Sequence, residues 1–422
     1  MIQQDVLVFG GLGNPNSSVV RLYEGLLDQL KDRFSIVAID PLVAQISTLD
    51  PSSYFHFLYS KQYTSFGDYL SDSKNHSVAC VMILTPVWAH LSILKEFNQA
   101  IKECHALFVI EKPSFSLDEI EVGFNQVVPQ LKRKGAKFYF IDTVIVSPVF
   151  DYFFSTVRLR TQGLPQKIVT ISTDNPITIH PDLAEYRFDN RIDYLNDRRL
   201  LNLDVSGGGG FGVDMGIHAV AGLIRYLQKT ELLSSQIEFT EVKAECLNEP
   251  SLHRSTGAET RLYASGNIVT PDAICELSID AGKASDIWDR RLELHYSDYT
   301  IVLGFGTLKH PPYIWISDKD YLKPITFDVT NSGYSCHFND ILSSLGFDVK
   351  RILSNEESEA LMEKSMLLLS HIFTSMGRTP LEREQQLVRV ERHTSLKGSD
   401  NEKTIRLRLM KVLDKLATTT NK

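Results

Sequence analysis

Two stretches of the sequence carry residue types that could handle a proton or a negative charge. The first is Glu111-Lys112-Pro113, which directly follows an apolar run at residues 107–110. The second is Asp214 with His218, which stand four residues apart behind a run of four glycines. An ammonium group stabilises developing negative charge, and a histidine beside a carboxylate exchanges protons near neutral pH. Lys112, Asp214 and His218 are therefore the candidate catalytic residues.

Lys112 is predicted to stand at the end of a buried strand. The continuous apolar character of residues 107–110 is typical of a strand covered on both faces in a parallel sheet. The spacing of Ser116 and Glu119 is that of a capping box, which predicts the start of the next helix. Because ligands of open α/β sheets bind at the carboxyl ends of strands, Lys112 is predicted at a ligand site. The alternative is a solvated lysine in a loop.

Asp214 and His218 are predicted to share one face of a helix, because the run that follows has apolar residues at helical spacing up to Leu227. A carboxylate one turn away from an imidazole can fix its tautomer and make it a better general base. The alternative is that Asp214 only caps the helix and that His218 is a buried core residue.

A glycine turn after the first predicted strand points to a dinucleotide. Gly11 and Gly13 supply the first two positions of G-x-G-x-x-G, where the backbone approaches a pyrophosphate, but Asn16 replaces the third glycine. The next strand ends in Asp40, which is placed to accept hydrogen bonds from a ribose. No basic residue directly follows, so NAD is favoured and NADP is still possible. A strand-helix-strand unit that binds no nucleotide is the alternative.

The order of predicted elements indicates two domains and an extension. Residues 1–146 alternate between strand and helix, which predicts an α/β Rossmann domain with a doubly wound parallel sheet. Residues 147–376 predict an α+β domain for substrate binding, with a large open, mainly antiparallel sheet. An open sheet leaves a face to cover, so the protein is predicted to form homo-oligomers through it. Residues 377–422 predict a charged, partly helical C-terminal extension.

The amino-acid composition limits the classes of binding partner that are expected. The 422 residues carry a formal net charge of -8, which argues against nucleic acid and anionic membranes and favours a small-molecule substrate. The five cysteines form no C-x-x-C pair and no metal-like spacing with histidine, so no metal is predicted and the thiols are expected to be reduced, as in the cytoplasm. The amino terminus has neither a signal-peptide pattern nor a long apolar run.

Four motifs stand in one order along residues 5 to about 376: the glycine turn, Thr85-Pro86 with His90, Glu111-Lys112-Pro113, and Asp214-x-Gly216-x-His218. Together they resemble the glucose-fructose oxidoreductase, inositol dehydrogenase and rhizopine-catabolism family (Gfo/Idh/MocA). The resemblance implies an NAD(P)-dependent dehydrogenase or reductase that moves a hydride between nicotinamide and a secondary alcohol or ketone of a sugar, sugar derivative or cyclitol. It implies Lys112, Asp214 and His218 as the catalytic residues. The implied cofactor residues are Gly11, Gly13, Asn14, Asp40, Thr85, Pro86, His90, Glu111 and Lys112.

The chain departs from that family at residues 142–148, in a longer segment before Gly207, and in the tail after Gly377. Many members carry an asparagine-arginine stretch before a proline where this chain has residues 142–148, so a polar substrate anchor is missing. A weaker likeness to glucose-6-phosphate dehydrogenase is found in Phe140-Ile141-Asp142 and around Asp214, but Thr143 and Val144 replace the histidine and tyrosine expected there. Two alternatives stay open: a catalytically silent dinucleotide-binding sensor or regulatory protein of the same fold, and a redox-neutral, NAD-using enzyme that cleaves glycosides.

Overall fold

The computed structural model describes residues 4–12, 19–48, 58–72, 77–157, 163–173, 210–247, 259–283, 289–307, 311–317, 325–327, 333–390 and 411. The chain divides into two compact units. Unit 1 comprises Met1–Ile141 and His337–Met366, and unit 2 comprises Asp142–Cys336 and Leu367–Lys422. The predicted division was into consecutive segments, whereas the structure returns a late stretch of the chain to the first unit.

The described residues contain ten α-helices, six of which lie in the first half of the chain. They are α1 (Glu24–Leu30), α2 (Phe66–Asp72), α3 (His90–Ala100), α4 (Ile120–Val122), α5 (Val128–Arg133), α6 (Pro148–Tyr152), α7 (Phe211–Lys229), α8 (Gly333–Ser344), α9 (Asn355–Thr374) and α10 (Pro380–Gln385).

Unit 1 contains a six-stranded sheet in which every neighbouring pair is parallel. Its strands are β1 (Asp5–Phe9), β2 (Ser35–Ile39), β3 (Lys61–Tyr63), β4 (Val78–Ile83), β5 (Leu107–Ile110) and β6 (Lys137–Phe140). The spatial order β3-β2-β1-β4-β5-β6 is that of the doubly wound dinucleotide fold. The direction of winding reverses between β1 and β4, and sheets of this kind bind ligands at the carboxyl ends of the two strands at the reversal. The predicted Rossmann domain is confirmed.

The stretch His337–Met366 of unit 1 forms hydrogen bonds with the edge strand β6. The Tyr139 hydroxyl donates to Asp340 Oδ2 at 2.6 Å and lies 2.7 Å from His337 Nδ1. The Phe140 backbone N–H donates to the Ser358 hydroxyl at 3.2 Å. An edge strand needs such partners for its polar groups. They come from 198 to 218 residues further along the chain, and no local sequence pattern predicts them.

The helix after β5 begins where predicted but by a different contact. A 3-10 turn at Leu117–Glu119 leads into α4, and the Ser116 side chain makes no capping hydrogen bond. The Glu119 backbone N–H donates instead to the Ser116 backbone carbonyl at 2.8 Å. The predicted capping box is therefore wrong, because a backbone acceptor takes the donor that the serine side chain would have bound.

Unit 2 is built on a nine-stranded mixed sheet in the order β14-β13-β12-β11-β7-β10-β9-β8-β15. Its strands are β7 (Lys167–Thr173), β8 (Gln236–Leu247), β9 (Arg261–Val269), β10 (Ile274–Gly282), β11 (Asp289–His295), β12 (Thr300–Gly304), β13 (Tyr313–Ser317), β14 (Ile325–Thr326) and β15 (Val388–Val390). The pairs β7–β10 and β8–β15 are parallel and the other pairs are antiparallel. The predicted large, mainly antiparallel sheet is confirmed.

Helix α7 packs on one face of this sheet, where the Thr170 hydroxyl donates to the Ala219 carbonyl at 2.7 Å. Successive residues of the central strands β7 and β12 are buried, so both faces are covered there within the single chain. The outer strand β9 alternates between buried and half-buried residues. Self-association stays a prediction, and it would have to use such outer strands.

The C-terminal extension is described only at its start, by α10 and β15. The rest of the predicted, partly helical extension lies outside the described residues, apart from residue 411. No helix in the described ranges is both long enough and apolar enough to cross a membrane.

Candidate active site

The glycine turn after β1 leaves no room for side chains. Gly10 has a φ of +74°, in the left-handed region that favours glycine. A Cβ on Gly11 would lie 2.8 Å from the Tyr59 hydroxyl oxygen, and that hydroxyl donates to the Gly11 carbonyl at 2.5 Å. The turn is thus fixed as a bare backbone surface at the carboxyl end of β1. Gly13 and Asn14 lie outside the described residues.

Asp40 is buried at the end of β2 and faces the glycine turn. Its Oδ2 accepts a hydrogen bond from the Leu12 backbone N–H at 3.1 Å, and its Oδ1 accepts one from the Leu42 backbone N–H at 2.9 Å. Burial, with the nearby Asp40 carboxylate, raises the pKa of Tyr59 well above its usual range, so this phenol stays neutral. A carboxylate offers about four lone-pair positions, so Asp40 can brace the turn and still accept from a ribose hydroxyl.

His90 is buried and connects two loops. Its Nε2 lies 2.8 Å from the Thr85 carbonyl oxygen after β4, and its Nδ1 lies 3.0 Å from the Ser114 carbonyl oxygen after β5. Burial lowers the pKa of His90, and the two carbonyls oppose this. Only the imidazolium can donate to both oxygens, because the neutral ring has a single N–H. His90 therefore lies between the loop after β4 and the loop after β5 and contacts both.

Glu111 and Lys112 follow β5 at the same edge of the unit 1 sheet. Glu111 is buried, its backbone N–H donates to the Ile83 carbonyl at 3.2 Å, and its Oε2 accepts a hydrogen bond from the Tyr23 hydroxyl. Lys112 is half-buried, and its peptide bond to Pro113 is cis. The structure thus sets Lys112 on a loop that is held by Glu111 on one side and by His90, through Ser114, on the other.

In unit 2, α7 carries both Asp214 and His218, as predicted. The carboxylate on His218 is, however, that of Asp142: His218 Nδ1 lies 2.8 Å from Asp142 Oδ2, and both side chains are buried. The second oxygen, Asp142 Oδ1, accepts from the Val144 backbone N–H at 2.8 Å, which fixes the plane of the carboxylate. The carboxylate bonded to His218 thus comes from the segment after β6, whereas the sequence analysis expected it from Asp214 on the same helix.

Asp214 has a cationic partner that the sequence analysis missed. Its Oδ2 lies 2.7 Å from Lys283 Nζ, and both side chains are about nine-tenths buried. The ammonium also lies 5.2 Å from the centre of the Phe211 ring, within range of a cation–π interaction. Lys283 directly follows Gly282 at the end of β10. Its partner is 69 residues away, so no local pattern could have paired them.

The amino terminus of α7 is capped by Glu259. Its Oε1 accepts from the backbone N–H groups of Gly210 at 2.6 Å and Val213 at 3.2 Å. Burial raises the pKa of Glu259 to about 7, against the lowering effect of these hydrogen bonds and of Arg383. Because a carboxylate of the chain itself accepts from Gly210 and Val213, these two N–H groups of the helix end are not open to a phosphate.

The residues of unit 1 fit a bound dinucleotide. Gly10 and Gly11 present bare backbone, Asp40 offers oxygen acceptors, and the Thr85 hydroxyl is buried without a hydrogen-bond partner among the described residues. A ligand polar group can satisfy this hydroxyl, whose burial unpaired is otherwise unfavourable. Lys112 stands on the neighbouring loop.

The two sheets together give the two-domain fold that is found in solved Gfo/Idh/MocA-type oxidoreductases. Aldose-aldose oxidoreductase from Caulobacter crescentus matches with a TM-score of 0.57 and 13% identity, covering 90% of this chain and 99% of its own. KijD10, a 3-ketoreductase from Actinomadura kijaniata solved with NADP and TDP-benzene, matches with a TM-score of 0.57 and 14% identity, covering 87% and 96%. UDP-N-acetylglucosamine 3-dehydrogenase GnnA from Acidithiobacillus ferrooxidans matches with a TM-score of 0.51 and 13% identity, covering 87% and 97%. No protein-family model and no curated protein matches the sequence.

Proposed function

We propose that the protein is an NAD(P)-dependent oxidoreductase that interconverts a secondary alcohol and a ketone of a sugar, sugar derivative or cyclitol. The observation that carries the proposal is the buried His218–Asp142 pair, with 2.8 Å between Nδ1 and Oδ2, in a chain whose other unit fits a dinucleotide. The named relatives support the substrate class, since they are described as an aldose-aldose oxidoreductase, a 3-ketoreductase and a UDP-N-acetylglucosamine 3-dehydrogenase.

His218 is the general acid and base in this proposal. A proton on Nδ1, donated to Asp142, leaves Nε2 as the basic nitrogen of the neutral ring. Nε2 accepts the hydroxyl proton of the substrate as its carbon is oxidised, and the imidazolium returns a proton to the oxygen in the reverse direction. The Asp142 carboxylate stabilises the imidazolium while it carries the positive charge. A nicotinamide, when bound, supplies the acceptor and donor of the hydride.

Lys112 and Asp214 are proposed as the charged groups around that proton transfer. Negative charge develops on the reacting oxygen, and the Lys112 ammonium is proposed to stabilise it. Asp214, held by Lys283 one helical turn before His218, is proposed to accept a hydrogen bond from a neighbouring substrate hydroxyl. This differs from the sequence prediction, in which Asp214 oriented the histidine.

The proposed cofactor residues are those of the unit 1 edge, and NAD is the proposed cofactor, with NADP as the less favoured choice. Gly11 gives the pyrophosphate close access to the backbone, Asp40 accepts from the ribose, and the Thr85 hydroxyl offers a further hydrogen bond. Pro41 and Leu42 follow Asp40, so the adjacent sequence gives a 2′-phosphate no cation.

The nucleotide that co-purifies with the protein tests the cofactor proposal. The protein would be denatured, and the released nucleotide identified by mass and absorbance. Recovery of NAD or NADP, or binding of either by the empty protein, is expected. An empty protein with no affinity for either dinucleotide would contradict the proposal.

Replacing Lys112 by Met tests the catalytic part. This variant should bind the dinucleotide almost as the wild type does and should lose turnover by orders of magnitude, because only charge stabilisation in the transition state is removed. Lys137→Met, at an exposed lysine that begins β6, is the matched control and should turn over normally. Normal turnover by Lys112→Met would remove this residue from the mechanism.

We also propose a cytoplasmic location and a homo-oligomer. All five cysteines are free thiols, which suits a reducing compartment. Sizing by light scattering tests the oligomer, and a monomer at micromolar concentration would rule it out.

A further inference from the structure

Arg290 stands at the end of the unit 2 sheet where several polar side chains gather. It is the second residue of β11 and pairs in register with Ser172 near the end of β7. Directly opposed residues of antiparallel strands project from the same face of the sheet, so Arg290 and Ser172 share a face. The Arg290 side chain is half-buried, and its Nη1 donates to the Thr143 hydroxyl at 3.3 Å.

Two polar atoms of this group lack partners. Arg290 Nε and Ser172 Oγ are both buried, and neither has a hydrogen-bond partner among the residues that the structure describes. Arg290 also makes no ion pair within those residues. Its sequence neighbour Arg291, by contrast, is held by Asp289 at 2.7 Å and by Glu293 at 2.8 Å.

The contrast with Arg291 indicates what Arg290 is suited to bind. A buried N–H of a guanidinium needs an acceptor, and leaving it without one is unfavourable. The Thr143 hydroxyl provides a single acceptor. The remaining N–H groups form a planar fork that matches the two oxygens of a carboxylate or phosphate. The Ser172 hydroxyl on the same face can donate to such an oxyanion.

The group also lies beside the proposed proton-transfer residues. Thr143 directly follows Asp142, whose carboxylate bonds to His218. A molecule held by Arg290 therefore has its anionic end at the chain segment that carries the Asp142–His218 pair. This suits a substrate with an acidic group at one end and the reacting hydroxyl at the other.

We propose that Arg290, with Ser172 and Thr143, forms a subsite for an oxyanion carried by the sugar substrate, as a carboxylate or a phosphate. The substrate part of this inference rests on the proposed function. The oxyanion part does not, because it depends only on the charge and the unpaired donors of the subsite.

Direct binding to the full chain tests the subsite without requiring turnover. Titration calorimetry with glucuronate, glucose 6-phosphate and glucose separates the carboxylate, the phosphate and the neutral compound. The wild type should bind one of the two anionic sugars at least about tenfold more tightly than glucose, which corresponds to about 1.4 kcal/mol. Equal or weaker binding of both anionic sugars, or no binding of either, would overturn the proposal.

Variants test whether Arg290 is responsible for the preference for the anionic sugar. Arg290→Gln should abolish the preference for the anionic sugar and leave glucose binding unchanged, while Arg290→Lys, which keeps the charge but not the fork, should retain part of it. Arg389→Gln, at an exposed arginine of β15, is the matched control and should behave as the wild type. An undiminished preference in Arg290→Gln would place the oxyanion elsewhere and overturn the assignment.

A measurement on the wild type covers the case in which Arg290→Gln does not fold. Acetate or inorganic phosphate should compete with the anionic sugar and not with glucose, and failure to compete would contradict the subsite. Anion-selective binding without hydride transfer would refute the oxidoreductase proposal alone. Hydride transfer to neutral sugars without any anion preference would refute the subsite alone.

Discussion

His218 Nδ1 lies 2.8 Å from Asp142 Oδ2, and the other oxygen of that carboxylate is held by the Val144 backbone N–H. The two residues are 76 positions apart in the chain. In the proposed reaction, a proton on Nδ1 is donated to Asp142, so Nε2 is the nitrogen that acts on the substrate.

Asp142→Asn should keep the fold and lower kcat by about 10²- to 10⁴-fold, because an amide can hold the ring in the wrong tautomer and cannot stabilise an imidazolium. Dinucleotide affinity should not change, since the glycine turn and Asp40 are untouched. Steady-state kinetics and dinucleotide titration measure the two effects. Asp151→Asn, at an exposed aspartate of α6, is the control, and equal kinetics in both variants would exclude Asp142 from proton transfer.

Lys283→Met should destabilise the protein by about 3–5 kcal/mol, because it leaves the Asp214 charge buried without its partner. The double variant Lys283→Met with Asp214→Asn should recover most of that loss. Urea unfolding measures both. Lys229→Met breaks an exposed pair with Asp151 and should cost far less. A double variant as unstable as Lys283→Met would show that the lysine acts through packing and not through Asp214.

His90→Ala should weaken dinucleotide binding by about two- to tenfold, because the neutral imidazole has a single N–H and its hydrogen bond, of about 0.5–1.5 kcal/mol, no longer holds the Thr85 and Ser114 loops together. His105→Ala, at an exposed histidine, should leave binding unchanged. Fluorescence titration with NADH compares them. Unchanged affinity in His90→Ala would show that the loops hold their positions without the imidazole.

The free energy of unfolding of Glu259→Gln, relative to that of the wild type, should increase as the pH rises from 5 to 8. Burial raises the pKa of Glu259 from 4.5 to about 7, so the folded state binds the proton more tightly than the unfolded state. The stability from this proton is present below pH 4.5 and is lost as the pH rises through 7, by on the order of 3 kcal/mol. Glutamine keeps an oxygen acceptor for Gly210 and Val213 and has no charge to bury.

Thermal unfolding across that pH range measures the difference in Tm between Glu259→Gln and the wild type. A difference that stays constant with pH would show that Glu259 is ionised throughout and that its pKa is not raised. Arg383 is the charged group that opposes the shift, so Arg383→Gln should enlarge the pH dependence.

The fold could be predicted where periodicity and chain order specify it. The alternation of apolar strands and helices led directly to the parallel sheet, and the amphipathic strands led to the larger mixed sheet. β3 was missed, because three residues without buried side chains carry no apolar pattern and pair with β2 only through backbone. Helices α8 and α9, which contact β6, were predicted in the second domain, because the residues that they contact are far away in the chain.

For the candidate site, the sequence specified which residues share a helix and did not specify the distant residues with which they pair. Asp214 and His218 lie on one helix as expected, but Asp214 pairs with Lys283 and His218 pairs with Asp142. Helical spacing shows which side chains share a face, but not which distant carboxylate forms a hydrogen bond with them. Asp142 had one usable signal, its position directly after a buried strand, where polar residues of parallel sheets meet ligands.

Transfer of deuterium tests the central claim most directly. The wild type would be incubated with NADH or NADPH deuterated at C4 and with a panel of keto-sugars and keto-cyclitols, and the products analysed by mass spectrometry. The account predicts that deuterium appears on a carbinol carbon of at least one product, and that His218→Gln reduces this transfer by orders of magnitude while still binding the dinucleotide. Absence of deuterium from every product, with folded protein and bound dinucleotide, would contradict it.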